Sequence, residues 1–327
     1  MDFDASQWNP STIGKASRSV YHYTSADGLL GIVESGTLRA SEASSLNDLA
    51  EIKQGWKFIR NWLDQQSDSK TVSYLRRLAG EDGSVGGPSQ TEAFVVSSST
   101  IGDDANQWRL YAAGGRGYAI ELDPGTSLAV LAKGKRIEKK SERRNALNLG
   151  ELMRDSVMVS PWLKVLYSDQ EKDAAMVDLL EWADRSAEYF ENASSSEEQW
   201  DLNRQEYEVA VHVALEKIAQ LIKEPGFAGE REARTVVTFA WAGPHLSFRA
   251  GQYGISRYAR LAVASASKEG RVWYVDDGIV EADKLPIKSV RLGPLLHAEN
   301  NMSSVEALLK ACGYKNVGVD ASTVPLR

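Results

Sequence analysis

Three groups of residues, far apart in the chain, are of types that could do chemistry together. Near the start, VYHYT at 20–24 sets His22 between two tyrosines, with Thr24 closing the run. In the middle, the apolar stretch 93–96 passes into four consecutive hydroxyls, Ser97 to Thr100, followed by Trp108 and Tyr111. Late in the chain, Glu230-Arg231-Glu232-Ala233-Arg234 sets two carboxylates two residues apart, and Arg249 follows. A carboxylate can stabilise positive charge that develops as a bond breaks. Hydroxyls can brace such a carboxylate. Guanidinium groups match phosphate oxygens in a fork, which suits Arg234 and Arg249.

Each group also has a plainer reading. His22 could be a satisfied structural histidine, and His212 and His245 have no chemical company at all. The serine run could finish a strand and satisfy turn amides. Trp108 and Tyr111 are three apart, a spacing that suits core packing as well as a pocket wall. Glu230-x-Glu232-x-Arg234 could be the exposed face of a strand. Asp48 and Glu51 read as a helix cap, Asn47-Asp48-x-x-Glu51 resembling a capping box, with Asn47 at the helix entrance. Gly114-Gly115-Arg116-Gly117 lacks the Lys-Ser/Thr ending of a phosphate loop and leads into a strand, so it reads as a tight bend.

The elements that must position these groups follow from periodicity and punctuation. Strands are expected at 20–24, 37–41, 93–96 and 118–122, with a helix after Ser25 and Asp27 that stops at Gly36. Leu46, Leu49, Ile52, Trp56, Ile59 and Leu63 mark an amphipathic helix, and a weaker one covers 71–79. Residues 81–90, rich in Gly and Ser, read as a loop. After Gly125 the texture changes. Lys133 to Arg144 is basic with interspersed Glu, the face of a solvated loop or helix. Long helices are expected through Met176–Phe190 and 202–223, with a polar linker at 191–198. Strand-like runs resume at 234–242, 247–251, 259–264, 272–275 and 287–292, before a helix at 304–311 and a short strand at 317–319. The expected fold is α+β, a single domain whose core is built from 1–130 and 226–327, with 131–225 as a helical insertion.

Bulk properties narrow the functional classes. The chain has 327 residues, 43% hydrophobic and 25% charged, ordinary values for a globular protein. A net charge of -7 argues against a surface that coats nucleic acid, though not against one local basic groove. The single cysteine, Cys312, excludes an intramolecular disulfide and reads as a buried structural thiol. No Cys/His cluster has zinc spacing, and no metal is expected. The acidic N-terminus lacks the apolar core of a secretory signal, and no run approaches the ~18 apolar residues of a membrane span. The expectation is a cytoplasmic protein with no membrane partner.

With these residues placed, the chain resembles a bacterial family called domain of unknown function 2971. The matching pieces are YHYT at 21–24, NDLAE at 47–51, FVVSSST, WRLYA and GRGYAIEL within 94–122, FAGEREAR at 227–234, FRAGQYGISRY at 248–258, VRLGP at 290–294 and a terminal Ser322 to Arg327. That family in turn resembles ADP-ribosyltransferases, which grip NAD on a split, mostly antiparallel sheet. The resemblance implies that His22 and Thr24 form the first motif, Ser97 and Ser99 the second, and Glu230 and Glu232 the third. It implies Glu232 as the catalytic carboxylate, Glu230 as the acceptor-activating one, and His22 on an adenosine-side ribose hydroxyl. Ser97 or Ser99 would brace the glutamate. Tyr23, Trp108 or Tyr111 would stack on nicotinamide or wall the pocket, with Asn47 nearby. Arg234 or Arg249 would meet the pyrophosphate.

The implied activity is transfer of ADP-ribose from NAD to a protein or nucleic-acid acceptor. A toxin or antiphage role, with an antitoxin or other regulatory partner, goes with that expectation. Tyr23 stands where these enzymes often carry glycine, which favours the alternative of a non-catalytic module that binds NAD or ADP-ribose. A metal-dependent phosphodiesterase finds no HxH, HxxxD or multi-Asp cluster to support it.

Overall fold

The structure, a computed structural model, describes residues 4–5, 7–42, 49–80, 92–133, 157–193, 196–239, 246–251, 254–263, 272–275 and 284–325. Asn47 and Asp48, the 81–90 loop, His245 and the basic run beyond Lys133 lie outside the described residues.

Among the described residues, thirteen strands form one mixed, mostly antiparallel sheet, with helices on both of its faces. The first strand, β1 (Val20–Thr24), runs into α1 (Ala26–Ser35), which Ser25 caps by accepting from the Gly28 amide. Gly36 then ends the helix in the left-handed region, φ 63°. The chain returns as β2 (Leu38–Glu42) and passes through α2 (Leu49–Asp64) and α3 (Lys70–Ala79) to β3 (Glu92–Ser99). A short α4 (Ala105–Tyr111), capped by Asp104, is followed by a tight bend with Gly114 and Gly115 at positive φ, as the glycines suggested. Then come β4 (Tyr118–Leu122), β5 (Leu128–Lys133), β6 (Val157–Val159) and β7 (Leu163–Lys164). Two long helices, α5 (Asp169–Asn192) and α6 (Glu197–Ala219), lead to β8 (Glu232–Phe239). The chain closes with β9 (Leu246–Gly251), β10 (Gly254–Val263), β11 (Val272–Val275), β12 (Ile287–Leu292), α7 (Ala298–Ala311) and β13 (Gly318–Ala321).

The sheet forks at β3. One edge of β3 pairs with β8 along its whole length, from Glu92↔Phe239 to Ser99↔Glu232. The other edge is shared: β2 pairs at Val95 and Phe94, and β1 only at Ser99. Between those points, over Val96 to Ser98, β1 and β2 diverge and leave β3 without a ladder partner on that side. This fork is what opens a cleft into the sheet.

Two apolar cores hold the fork from either face. On one face, α2, α3, α5 and α6 pack through Trp56, Ile59, Leu75, Met176, Leu179 and Leu215 onto Val95, Leu163 and Val236. On the other, α1 and α7 pack Leu29, Val33, Val305 and Leu309 against Phe94, Val96, Val237 and Phe239. Strand β8 is therefore buried on both sides throughout, which excludes the reading of its Glu and Arg as an exposed strand face.

The segment expected as a purely helical insertion also contributes β6 and β7, both paired with β8. The second long helix ends at Ala219, earlier than the apolar pattern suggested, and Lys223 lies past it, where its amide donates to Leu166 O at 3.0 Å. Cys312 caps the C-terminal end of α7 and is half-buried rather than fully enclosed.

Candidate functional site

The fork opens into a cleft of about 310 Å³, lined among others by His22, Thr24, Ser97, Ser99, Tyr111, Glu230, Glu232 and Arg249. Residues from the beginning, middle and late parts of the chain thus meet in one place. Tyr23 also contributes to the wall, while Trp108 and Arg234 do not.

His22 occupies the fork itself. Its Nδ1 lies 3.0 Å from Ser97 O, a carbonyl on the unpaired stretch of β3. A carbonyl only accepts, so Nδ1 carries the proton and Nε2 is left as an acceptor. Burial lowers the imidazole pKa, outweighing the opposing effect of that hydrogen bond, and keeps the ring neutral.

Tyr23 lines the cleft with Trp108 behind it. Their rings meet edge to face at 4.8 Å, and Trp108 is wholly buried. Trp108 is therefore a support for the wall rather than a ligand-stacking surface. The Tyr23 hydroxyl donates to Ile101 O at 2.9 Å and accepts from the Asp104 amide at 3.3 Å. Tyr111 is half exposed, and its hydroxyl donates to Glu230 Oε1 at 3.2 Å.

The carboxylates sit in a buried ion cluster that sequence reasoning missed. Lys223 Nζ contacts Glu51 at 3.0 Å, Glu230 at 2.7 Å and Glu232 at 3.3 Å. Arg234 grips Glu232 through Nε at 2.7 Å and Nη2 at 2.9 Å, reaches Glu51 at 3.0 Å, and donates to Gln220 O at 2.6 Å. Three carboxylates face two cations, so with all five groups ionised the cluster carries one net negative charge. Burial would push the Glu232 carboxyl up, but the charge and hydrogen bonds of Arg234, the charge of Lys223 and the Ser97 hydroxyl bring it down to about 2. Burial lowers the Lys223 pKa, but the surrounding carboxylates override it and hold it above the ordinary lysine range.

This arrangement corrects one expectation. Arg234 is committed to the cluster and is unavailable to a pyrophosphate. Glu51 also serves as an acid of the cluster, with its side chain on Arg234 and Lys223; the capping box expected of it involves Asn47 and Asp48, which lie outside the described residues. The two serines also divide their work. Ser97 contributes to holding Glu232, whereas Ser99 Oγ donates to the backbone carbonyl of Glu230 at 2.9 Å. Arg231, between the two glutamates, adopts φ 45°, an uncommon left-handed geometry for a residue with a side chain.

Lys223, Gln107 and Arg39 also line the cleft. Arg39 is a single arginine in a short strand, and Lys223 follows an apolar helical pattern, so neither has a local signal of function. Only the fold brings them in.

Comparison with known proteins bears on this site. The model of a family described as "Protein of unknown function (DUF2971)" matches residues 107–235. That segment runs from Gln107 through Tyr111 and Lys223 to Glu230, Glu232 and Arg234. It contains the ion cluster except Glu51, and leaves out His22, Ser97 and Arg249. No curated protein and no solved structure was found to match the chain. No helix among the described residues is long and apolar enough to cross a membrane, and no group of metal-binding side chains occurs among them.

Proposed function

We propose that the forked cleft binds NAD and that the protein transfers ADP-ribose to a macromolecular acceptor. The observation that carries this reading is the convergence of His22, Ser97 and the Glu230/Glu232 pair on one cleft. Its volume, about 310 Å³, falls at the lower end of the ~300–1,000 Å³ range of small-molecule sites.

In this reading the two ends of the cleft have different work. His22, neutral with Nε2 free to accept, takes a ribose hydroxyl. Arg249, which lines the cleft and donates to Ser41 Oγ at 3.0 Å, is assigned to the pyrophosphate because its fork matches phosphate oxygens. Glu232, ionised and immobilised, stabilises the positive charge that develops on ribose as nicotinamide leaves, and the cluster's net negative charge acts in the same sense. Glu230 is the more accessible acid. Its carboxylate is shared between Tyr111 and Lys223, and it is the group positioned to take a proton from an incoming acceptor.

A second reading is a module that binds the nucleotide without turning it over. It is favoured by the fact that both oxygens of Glu232 are engaged by Arg234 and Lys223. Purified protein incubated with NAD and candidate acceptors separates the two. Nicotinamide release that is abolished in Glu232→Gln supports transfer, NAD binding without release under any acceptor supports the module, and absence of NAD binding sinks both.

A further inference from the structure

The sheet face leading away from the cleft carries positive charge that the dinucleotide reading leaves unused. Strands β2 and β10 pair antiparallel with Arg39 directly opposite Arg260 and Ser41 directly opposite Tyr258. Residues opposite one another in a ladder share a face, and Arg39 and Ser41 line the cleft, so Arg260 and Tyr258 belong to the same face. From the far side of β10, Arg249 reaches across to Ser41. Three arginines of an acidic protein therefore share one patch of sheet.

The pairing is costly unless something else recovers the cost, because like charges placed directly opposite repel. No carboxylate does so among the described residues. Glu42 and Glu92, the acids on the neighbouring strand ends, both bind Arg257, which is three residues, an odd number, from Arg260 and so on the opposite face. Arg260 Nε is buried with no hydrogen-bond partner. The Arg39 guanidinium is propped in place, 5.3 Å over the Tyr258 ring and close against α1, where a Cβ on Gly31 would come within 3.3 Å of it. Guanidinium groups arranged as planar forks, with the Ser41 hydroxyl between them, match the several oxygens of a phosphate.

We propose that Arg39 and Arg260, next to the Arg249 that serves the pyrophosphate, form a phosphate-binding face for a second phosphate-bearing group. This extends the dinucleotide reading and rests on it only in taking the cleft itself as occupied by NAD. The phosphate has two chemical sources, the backbone of a polynucleotide acceptor or an additional phosphate on the nucleotide in the cleft.

The test uses the full chain and its Arg260→Gln and Arg260→Lys variants, with melting curves to establish that each is folded. Four probes are titrated: NAD, NADP, and a short single-stranded oligonucleotide as DNA and as RNA. The expected result is that Arg260→Gln weakens one phosphate-bearing probe by roughly tenfold or more, the usual worth of a charge-assisted hydrogen bond, and leaves NAD within about twofold. Arg260→Lys should recover part of the loss. If the oligonucleotide is the probe affected, with its salt dependence reduced by about one counterion, the source is a polynucleotide. If NADP is affected while NAD is not, the source is the extra phosphate of the nucleotide. If all probes bind wild type and Arg260→Gln alike, or if none but NAD binds, the proposal is overturned. A protein that binds no NAD but loses oligonucleotide affinity in Arg260→Gln would remove the dinucleotide reading and leave this one standing.

Discussion

Burial pushes the Glu232 carboxyl pKa up, yet Arg234 and Lys223 bring it down to about 2 and keep it ionised. A carboxyl whose folded pKa lies below its unfolded value stabilises the fold above the unfolded value and loses that contribution as pH falls. Here the loss should run from about 4.5 down to about 2. Glu232→Gln should therefore show a shallower acid limb in denaturation curves than wild type, and under the proposed transferase reading nicotinamide release should drop by at least ~10²-fold. Arg234→Met tests the cluster from the other side. It leaves three carboxylates with one cation in a buried setting and should cost about 3–5 kcal/mol in urea unfolding. Equal stability of Arg234→Met and wild type would mean that water, rather than the arginine, solvates the acids.

At the scale of elements, the cluster depends on α2 and α6 approaching closely enough for Glu51 to meet Lys223 and Arg234. Gly55, one turn after Glu51, permits that approach, because a Cβ there would sit 2.3 Å from the carbonyl oxygen of Ala219. Gly55→Ala should force the helices apart, lower stability by about 1–3 kcal/mol in thermal or urea melts, and reduce activity by more than the stability loss explains. This contact also marks the limit of sequence reading. Strands β1, β11 and β12 were legible to the residue, because each is a short run rich in β-branched or aromatic residues. Strands β6 and β7 were not, since three- and two-residue strands take their conformation from β8 rather than from any pattern of their own. His22, Ser97 and the two glutamates were singled out by the family resemblance rather than by any local pattern of their own. Lys223, Glu51 and Arg39 were not, because a lysine after an apolar helix, a glutamate in a first turn and an arginine in a short strand are commonplace. The spacing of Trp108 suited core and pocket wall equally, and Arg234 was offered for its match to phosphate oxygens; the fold commits each of them to supporting the pocket.

Across the whole molecule, the last described residues are fastened to the wall of the cleft. Asp103, in the loop between β3 and α4, accepts through Oδ1 from Trp108 Nε1 at 2.7 Å and Ser322 Oγ at 2.5 Å. Its Oδ2 accepts from the Thr323 amide at 2.9 Å and Thr323 Oγ1 at 3.2 Å. Nearby, Arg291 grips Asp320 and donates to Gly102 O at 3.2 Å. The end of the chain thereby braces the loop beneath Tyr23 and the start of the helix that carries Tyr111, although it is distant from both in sequence. These hydrogen bonds hold the Asp103 carboxyl below the usual range against the upward push of burial, so the aspartate acts as an anion with four donors upon it. Asp103→Asn removes the charge and turns an NH2 group towards those donors. It should cost about 1–3 kcal/mol of stability, the penalty for mismatched hydrogen-bonding groups. If the brace also shapes the cleft, the variant should bind NAD more weakly while the ion cluster stays intact, and Trp108 fluorescence should report a wetter indole. Weakened binding with an unchanged melting temperature would assign the chain end a role in shaping the site, and a lowered melting temperature with unchanged binding would confine it to the stability of the fold.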